Sequence, residues 1–291
     1  MSPDRYCQDK AAASGSSFYY SFLFLPPEQR QAITALYAFC REVDDVVDEC
    51  SDVSVARTKL DWWRSEIERC FAGDPTHPVT CALLGPIQSY NLPMEYFQEI
   101  IDGMAMDLDH TRYESFNDLA LYCHRVAGVV GLLSAEIFGY QDRNTLKYAE
   151  TLGTAFQLTN ILRDVREDAE RGRIYLPLDE LHEHHINPHN LLKLTPGEGM
   201  RALCHQQAQR AHDYYQRAID FLPDADRETQ RTGLIMAAIY RTLLREIEND
   251  DYHIMDHRVG LTPIRKLWIA WSTARRERRW QKKYRKQVVH A

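Results

Sequence analysis

Apolar residues recur at intervals of three and four along almost the whole chain, the pattern of amphipathic helices. Ile33, Leu36, Tyr37, Cys40, Val43 and Val47 trace one stripe that starts at Pro26-Pro27, with Pro in the first turn, and runs through Glu49. Asp52 is the expected N-cap of a second helix to about Cys70, stopped by Gly73-Asp74-Pro75. Pro93 opens a third, to about Asp107. Ser115 caps a long apolar one that closes at Gly139. Asp142 caps the next, to about Asp168, and Thr195-Pro196-Gly197-Glu198 reads as a capping box for a helix to Phe221. Further helices fit about 225–250 and 264–286. The segment 126–139, VAGVVGLLSAEIFG, is apolar on nearly all faces and is expected at the centre of the molecule. No alternating pattern long enough for a strand appears, and no Gly-, Ser- or Pro-rich linker divides the chain. The spacing predicts one all-α domain over 1–291, with a basic C-terminal helix at about 264–286.

Composition narrows the class. The 291 residues are 44% hydrophobic and 26% charged, which is globular and excludes a disordered or collagen-like chain. Gly (13) and Pro (12) are too few for a turn-dense β-sandwich. Seven scattered Cys with no CxxC pair argue against a disulfide framework or a Cys-based zinc site. The N-terminus lacks the apolar core of a signal peptide, and no run reaches the roughly 18 uninterrupted apolar residues of a membrane span. The expectation is a cytoplasmic protein.

The net charge of −7 is uneven. From Arg258 to Ala291 eleven Lys or Arg stand against Glu277 alone, so this tail carries +10 and residues 1–257 carry −17. Such a tail, with Trp268, Trp271 and Trp280 interleaved, is either a solvated helix face or a contact for anionic lipid. A nucleic-acid partner would rest on the tail alone and is not expected. The expected location includes peripheral contact with an anionic membrane, at its inner face, through this helix.

Two acidic clusters carry the chemistry. REVDDVVDE contains Asp44, Asp45 and Asp48; NILRDVRED contains Asn160, Asp164 and Asp168. Each DxxxD pair puts two carboxylates on one helix face, about 5–6 Å apart at Cβ, where like charges destabilise the helix unless a cation offsets them. Both pairs sit in apolar surroundings (Val43, Val46, Val47; Leu158, Ile161, Leu162), which weakens the alternative of a solvated face. The cation that suits them is Mg²⁺, usually held by one or two carboxylates together with substrate phosphates. Arg41, Arg163 and Arg173 are suited to bidentate phosphate contacts. Facing pairs at the mouth of an apolar cleft fit a substrate with a diphosphate head and a hydrocarbon tail. HEHH at 182–185 with His189 has no standard zinc spacing, and Asp107 and Asp109 read as local structure.

The blocks ASGSSFYYSFLFLPPEQRQAITALYAFCREVDDVVDE, YCHRVAGVVG and QLTNILRDVREDAERGRIYLP resemble the signature segments of the squalene and phytoene synthases, from about Tyr6 to about Lys286. Within that family the wording resembles bacterial presqualene diphosphate synthases of the hopanoid pathway. The resemblance implies an isoprenoid synthase helical bundle with a central apolar cavity, joining two molecules of farnesyl diphosphate head to head with Mg²⁺. It implies Asp44, Asp48, Asp164 and Asp168 as metal ligands. It implies Arg41, Arg163 and Arg173 as diphosphate contacts and Tyr37, Tyr122 and Tyr175 as active-site tyrosines, with Tyr37 or Tyr175 as proton acceptor, by way of the departing diphosphate. Ser17, Phe18, Phe22, Val126, Ala127, Gly128, Gln157 and Asn160 match substrate-binding positions. The first motif reads DDVVD where animal and fungal squalene synthases carry Glu for the second Val, and the C-terminal membrane anchor of those enzymes has no counterpart here. The competing readings are a complete NADPH-dependent squalene synthase, a phytoene synthase using C20 substrates, and a non-catalytic assembly or binding module of the same fold. A module of that kind is expected to have lost acids from one cluster or both; here both pairs and their Arg neighbours are intact.

Overall fold

Every regular element among the described residues is helical. The computed structural model describes the backbone of residues 1–13, 17–50, 52–195 and 197–289 and, apart from Ser17, Tyr19 and 287–289, their side chains. The order is α1 (Pro3–Ala13), α2 (Ser17–Phe22), α3 (Pro27–Glu49), α4 (Val53–Phe71), α5 (Pro78–Ser89), α6 (Met94–Asp109), α7 (Phe116–Cys123) and α8 (Val129–Phe138). It continues with α9 (Asn144–Arg163), α10 (Val165–Glu170), α11 (Leu178–Glu183), α12 (Pro188–Leu192), α13 (Met200–Phe221), α14 (Arg231–Asn249) and α15 (Pro263–Val289). Helices α1, α2 and α5 carry too short or too weak an apolar period to be read from sequence.

Local chemistry accounts for most boundaries. Asp52 Oδ1 accepts the Ser54 N–H at 2.8 Å and caps α4. The Asp118 carboxylate accepts the Ser115 N–H at 3.0 Å at the start of α7. Asp142 Oδ1 accepts the Asn144 N–H at 2.8 Å before α9. Glu66, buried on α4, accepts the Thr76 and His77 N–H groups and the Thr76 and Thr80 hydroxyls, tying α4 to the first turn of α5. Three expectations need correction. The helix after the 171–195 connection starts at Met200 rather than at Thr195, and Pro196 lies outside the described residues. The helix from Asp142 does not run unbroken to Asp168: it stops at Arg163, and Asp164, with φ −102° and ψ 12°, starts the separate α10. The helix fitted to about 225–250 begins only at Arg231, after a 3₁₀ turn at Asp224–Asp226, whereas the last helix starts at Pro263, as expected.

The core has two parts. One gathers α9, α13, α14 and the buried face of α15; the other gathers α1 and α3–α6. Phe18 and Val126 pack against both. The stretch Phe116–Phe138 is long and apolar enough to span a membrane by composition, but half of its most apolar window is buried inside the protein. One π-helical turn, His124–Gly128, interrupts it, a feature frequent at functional sites. Here α8 meets α9 at backbone distance. A methyl group on Gly131 would stand 2.2 Å from the Ala149 carbonyl oxygen, and one on Gly153 would stand 2.3 Å from that of Ala127. Only glycine permits this crossing.

Candidate active site

On α3, Tyr37, Arg41, Asp44 and Asp48 follow the helical repeat and share one face, while Val43, Val46 and Val47 on the other face are buried and fix the roll of the helix. Opposite, α9 presents Gln157 and Asn160, the break at Asp164 turns the chain, and α10 adds Asp168. Arg41, Asp44, Asp48, Gln157, Asn160, Asp164 and Asp168 line a polar chamber together with Asp107, Tyr122, Arg163, Arg171, Arg173, Tyr175 and Arg258. Below it lies an apolar cavity with about 1120 Å³ of space free of protein atoms, part of it open to solvent. Phe18, Phe22, Tyr37, Val126 and Ala127 line that cavity, and Arg41, Asp44, Tyr122, Gln157 and Asn160 belong to both spaces. A polar chamber thus opens directly into an apolar one.

Arginines bind most of the carboxylates. Arg41 reaches Asp44 at 2.6 Å and Asp45 at 2.5 Å. Arg173 bonds Asp48 at 2.9 Å and the Val47 carbonyl at 3.0 Å, and Arg171 takes the other Asp48 oxygen at 2.9 Å, so the segment after the second motif is clamped onto the first. Arg163 Nε donates to Asp164 at 2.7 Å, and Arg258 donates to the same carboxylate at 2.8 Å. Although burial opposes ionisation, Arg163 and Arg258 hold Asp164 below the ordinary carboxylate range.

Three acids, Asp44 among them, are less well compensated. Burial pushes Asp44 up to about 6 against the pull of Arg41, with Asp48 and Asp107 adding to the rise. Burial also lifts Asp107 to about 6 against Arg173 and two tyrosine hydrogen bonds. Asp168 goes to about 8, through burial and then the charges of Asp164 and Asp107. Asp107 stands between the two motifs and repels both. The Asn160 Oδ1 oxygen is buried without a hydrogen-bond partner beside these acids. Crowded carboxylates plus an orphan amide oxygen are a donor set that a hard divalent cation satisfies. Among the described residues no three His, Cys, Asp or Glu side chains converge to hold a metal unaided.

The sequence-derived set is largely assembled. The four aspartates, the three arginines, Tyr122, Tyr175, Gln157 and Asn160 line the polar chamber. Tyr37 lies in the apolar cavity, its ring 5.6 Å from that of Phe18 and 6.3 Å from that of Phe22. Gly128 is a correction: it does not line the cavity, and a methyl there would meet His124 and Glu150 at 3.3 and 3.4 Å. Its place is the packing against α9, which Glu150 belongs to. Ser17 falls in α2, but its side chain is outside the described residues. Reading Asp107 as local structure is also corrected, because Tyr175 and Tyr122 donate to its two oxygens at 2.7 and 3.0 Å. A signal was available: Phe97, Ile100, Ile101 and Met104 form the buried stripe of α6, and Asp107 continues it. Arg171 and Arg258 were not singled out, since no motif marks them.

The squalene/phytoene synthase profile matches residues 11–266. The chain is 36% identical to a 15-cis-phytoene synthase of Synechococcus elongatus over 273 residues, covering 90% of this chain and 89% of the relative. It is also 36% identical to a phytoene synthase of Arthrospira platensis over 274 residues, with the same coverage of each. Among solved structures, a dehydrosqualene synthase in complex with ligand superposes with a TM-score of 0.84 at 28% identity, covering 98% of this chain and 97% of that one. Squalene synthase HpnC from Alicyclobacillus acidocaldarius gives 0.75 at 29% identity, covering 86% and 94%.

Proposed function

The chain belongs to the squalene/phytoene synthase family of prenyltransferases, and from that premise we propose that it condenses two farnesyl diphosphates head to head to presqualene diphosphate, releasing one diphosphate, as a step toward squalene and hopanoids. The observation that carries this reading is the junction of the two spaces at Arg41, Asp44, Tyr122, Gln157 and Asn160. A diphosphate held among the arginines has its C1 carbon at that junction and its hydrocarbon in the apolar cavity.

Asp44, Asp48, Asp164, Asp168 and the Asn160 oxygen would hold Mg²⁺, whose chemistry when bound is to draw electron density from a diphosphate so that it leaves. Arg41, Arg163 and Arg173 supply fixed positive charge to the departing group. Loss of diphosphate from one farnesyl leaves an allylic cation in a space walled by Phe18, Phe22, Tyr37 and Phe156. Aromatic faces stabilise such a cation, and the apolar lining keeps water from quenching it. The 2,3 double bond of the second farnesyl attacks C1 of the cation, and loss of one proton closes the cyclopropane. Products and reactants balance as presqualene diphosphate, diphosphate and one proton. Tyr175 is a poor acceptor for that proton. Burial drives its titration upward, and its hydroxyl donates to Asp107. The released diphosphate, still among the arginines, is the better base.

A second reading has support from sequence, since the relatives named above at 36% identity are phytoene synthases. It differs in taking a C20 donor. The deciding experiment supplies the purified protein with Mg²⁺ and either farnesyl or geranylgeranyl diphosphate, and identifies products by mass. Presqualene diphosphate from the C15 donor is the expected result; a C40 product with farnesyl diphosphate left unused overturns it in favour of the phytoene reading.

A further inference from the structure

The solvent face of α15 changes character halfway along. Ile264, Leu267, Trp268 and Trp271 are 80, 44, 65 and 51% exposed. Their spacing puts them on one stripe over the first turns of the helix. The opposite face is the packed one: Ile269, Ala270, Thr273 and Ala274 are buried toward α14. Glu277, the lone acid of the tail, is buried and paired with Arg227 at 2.6 Å, which locks this rotation of the helix in place. Trp280 is not part of the stripe, because it lies under the Arg227 guanidinium and stacks on Tyr284. Beyond Trp271 the exposed face turns basic. Arg275 sits over the Trp271 ring at 5.3 Å, and Arg278, Arg279 and Lys282 follow in solvent.

The start of α15 lies beside the active site. Arg258, which bonds Asp164, precedes the start of α15 by five residues. The Lys266 ammonium lies 5.6 Å from the centre of the Tyr20 ring on α2. That same short helix turns Phe18 and Phe22 into the apolar cavity, and Leu23 just beyond it is exposed. Helix α15 therefore packs against the cavity wall at α2 with one face and carries the apolar stripe on the other.

We infer that Ile264, Leu267, Trp268 and Trp271 form a docking surface for an anionic lipid bilayer, with the basic half of α15 against the headgroups. Partly exposed side chains of this number offer a few hundred Å², well short of the roughly 800 Å² per partner of a stable protein interface. Tryptophan beside Arg and Lys is the composition that seats a helix in the headgroup region, where each basic residue adds attraction to anionic lipid. The contact rests on α15 alone. Its use, bringing a hydrocarbon-tailed diphosphate product close to the bilayer, rests on the reaction proposed above.

The test is vesicle flotation of the full chain, without substrate, using phosphatidylcholine vesicles with or without phosphatidylglycerol. The wild-type protein is expected to float with the anionic vesicles and to release as salt is raised. Trp268→Asp/Trp271→Asp should weaken binding by roughly tenfold or more, and Arg278→Glu/Arg279→Glu should remove most of the salt dependence. Ile264→Asp, at the most exposed position, is the second probe should the tryptophan variant lose helical content. Absence of flotation by the wild type, or unchanged flotation by the Trp268/Trp271 and Ile264 variants, overturns the inference. A wild-type dimer in size-exclusion chromatography that the tryptophan variant dissociates, with no vesicle binding, reassigns the stripe to a second copy and overturns it too. Turnover in detergent should be the same for all these variants, so the lipid result and the reaction are judged separately.

Discussion

The Tyr175 hydroxyl donates to Asp107 Oδ1 at 2.7 Å while Tyr122 donates to Oδ2 at 3.0 Å. The two rings stack with centroids 5.1 Å apart, so one buried carboxylate fixes two phenols, Tyr122 at the junction of the polar and apolar spaces and Tyr175 in the polar chamber beside it. Asp107→Asn keeps the shape but offers an acceptor to one phenol only. The expected outcome is a fall in kcat of roughly tenfold to a hundredfold with little change in KM. Tyr175→Phe combined with Asp107→Asn should cost little more than either alone, because both act through one unit. Steady-state kinetics on the double-mutant cycle checks this.

Asp44→Ala and Asp164→Ala each remove a carboxylate that the chamber aims inward and that no core packing requires. Turnover should drop by roughly a hundredfold to a thousandfold, with helical content by circular dichroism nearly unchanged. Near-normal rates in either variant at saturating Mg²⁺ would sink the role given to the two motifs.

Gly153→Ala places a methyl 2.3 Å from the Ala127 carbonyl oxygen, so α8 and α9 must part. Overpacking of this kind costs about 1–3 kcal/mol. Thermal unfolding should show a lowered Tm, and turnover should fall as well, since Ala127 lines the cavity.

Glu66 provides a pH test away from the site. Burial opposes its charge, but hydrogen bonds from the Thr80 hydroxyl, the His77 N–H and both Thr76 donors outweigh that and hold it at about 2, below the ordinary 4.5. A depressed carboxyl contributes stability above its unfolded-state value and loses it as pH falls through the folded-state value. Glu66→Gln should therefore cost roughly 2 kcal/mol at neutral pH, and the gap from wild type should close between about pH 4.5 and pH 2. Denaturant titrations across that range measure it.

Adding NADPH to the reaction with farnesyl diphosphate should leave presqualene diphosphate as the product. Going on to squalene requires ionising the second diphosphate and delivering hydride, and no residue lining either space is assigned to hydride delivery. Substantial squalene from purified protein would make the chain a complete squalene synthase.

Much of the fold is local information. The apolar stripe of α3, the caps at Asp52 and Ser115 and the stop near Gly139 are set by residues adjacent in sequence, so periodicity and hydrogen-bonding side chains reveal them. The first DxxxD pair was legible for the same reason, since Asp44 and Asp48 stand one turn apart on α3; the second was legible as a motif only, because Asp164 lies at the break before α10 rather than inside one helix with Asp168. Helices α1, α2 and α5 were not, since short segments owe their helicity to burial against α3 and its neighbours rather than to a strong period of their own.

Long-range placement decided the rest. The break of α9 at Asp164 comes with a two-arginine clamp on that carboxylate, from Arg163 beside it and Arg258 94 residues away, and the sequence marks no cap there. Gly128 and Ala127 are neighbours in the chain, yet Gly128 packs on α9 while Ala127 lines the cavity, because successive residues of a helical turn point in different directions and α9 covers only one of them. Asp107 read as local structure at the end of a helix, yet two tyrosines 15 and 68 residues away meet its oxygens. By itself the sequence determined which residues can carry charge, metal or cation–π chemistry, and, on unbroken helices such as α3, which face they share. Only the tertiary structure decided which of them share a low-dielectric chamber, because burial, and with it every shifted carboxyl, depends on what other helices bring to the same place.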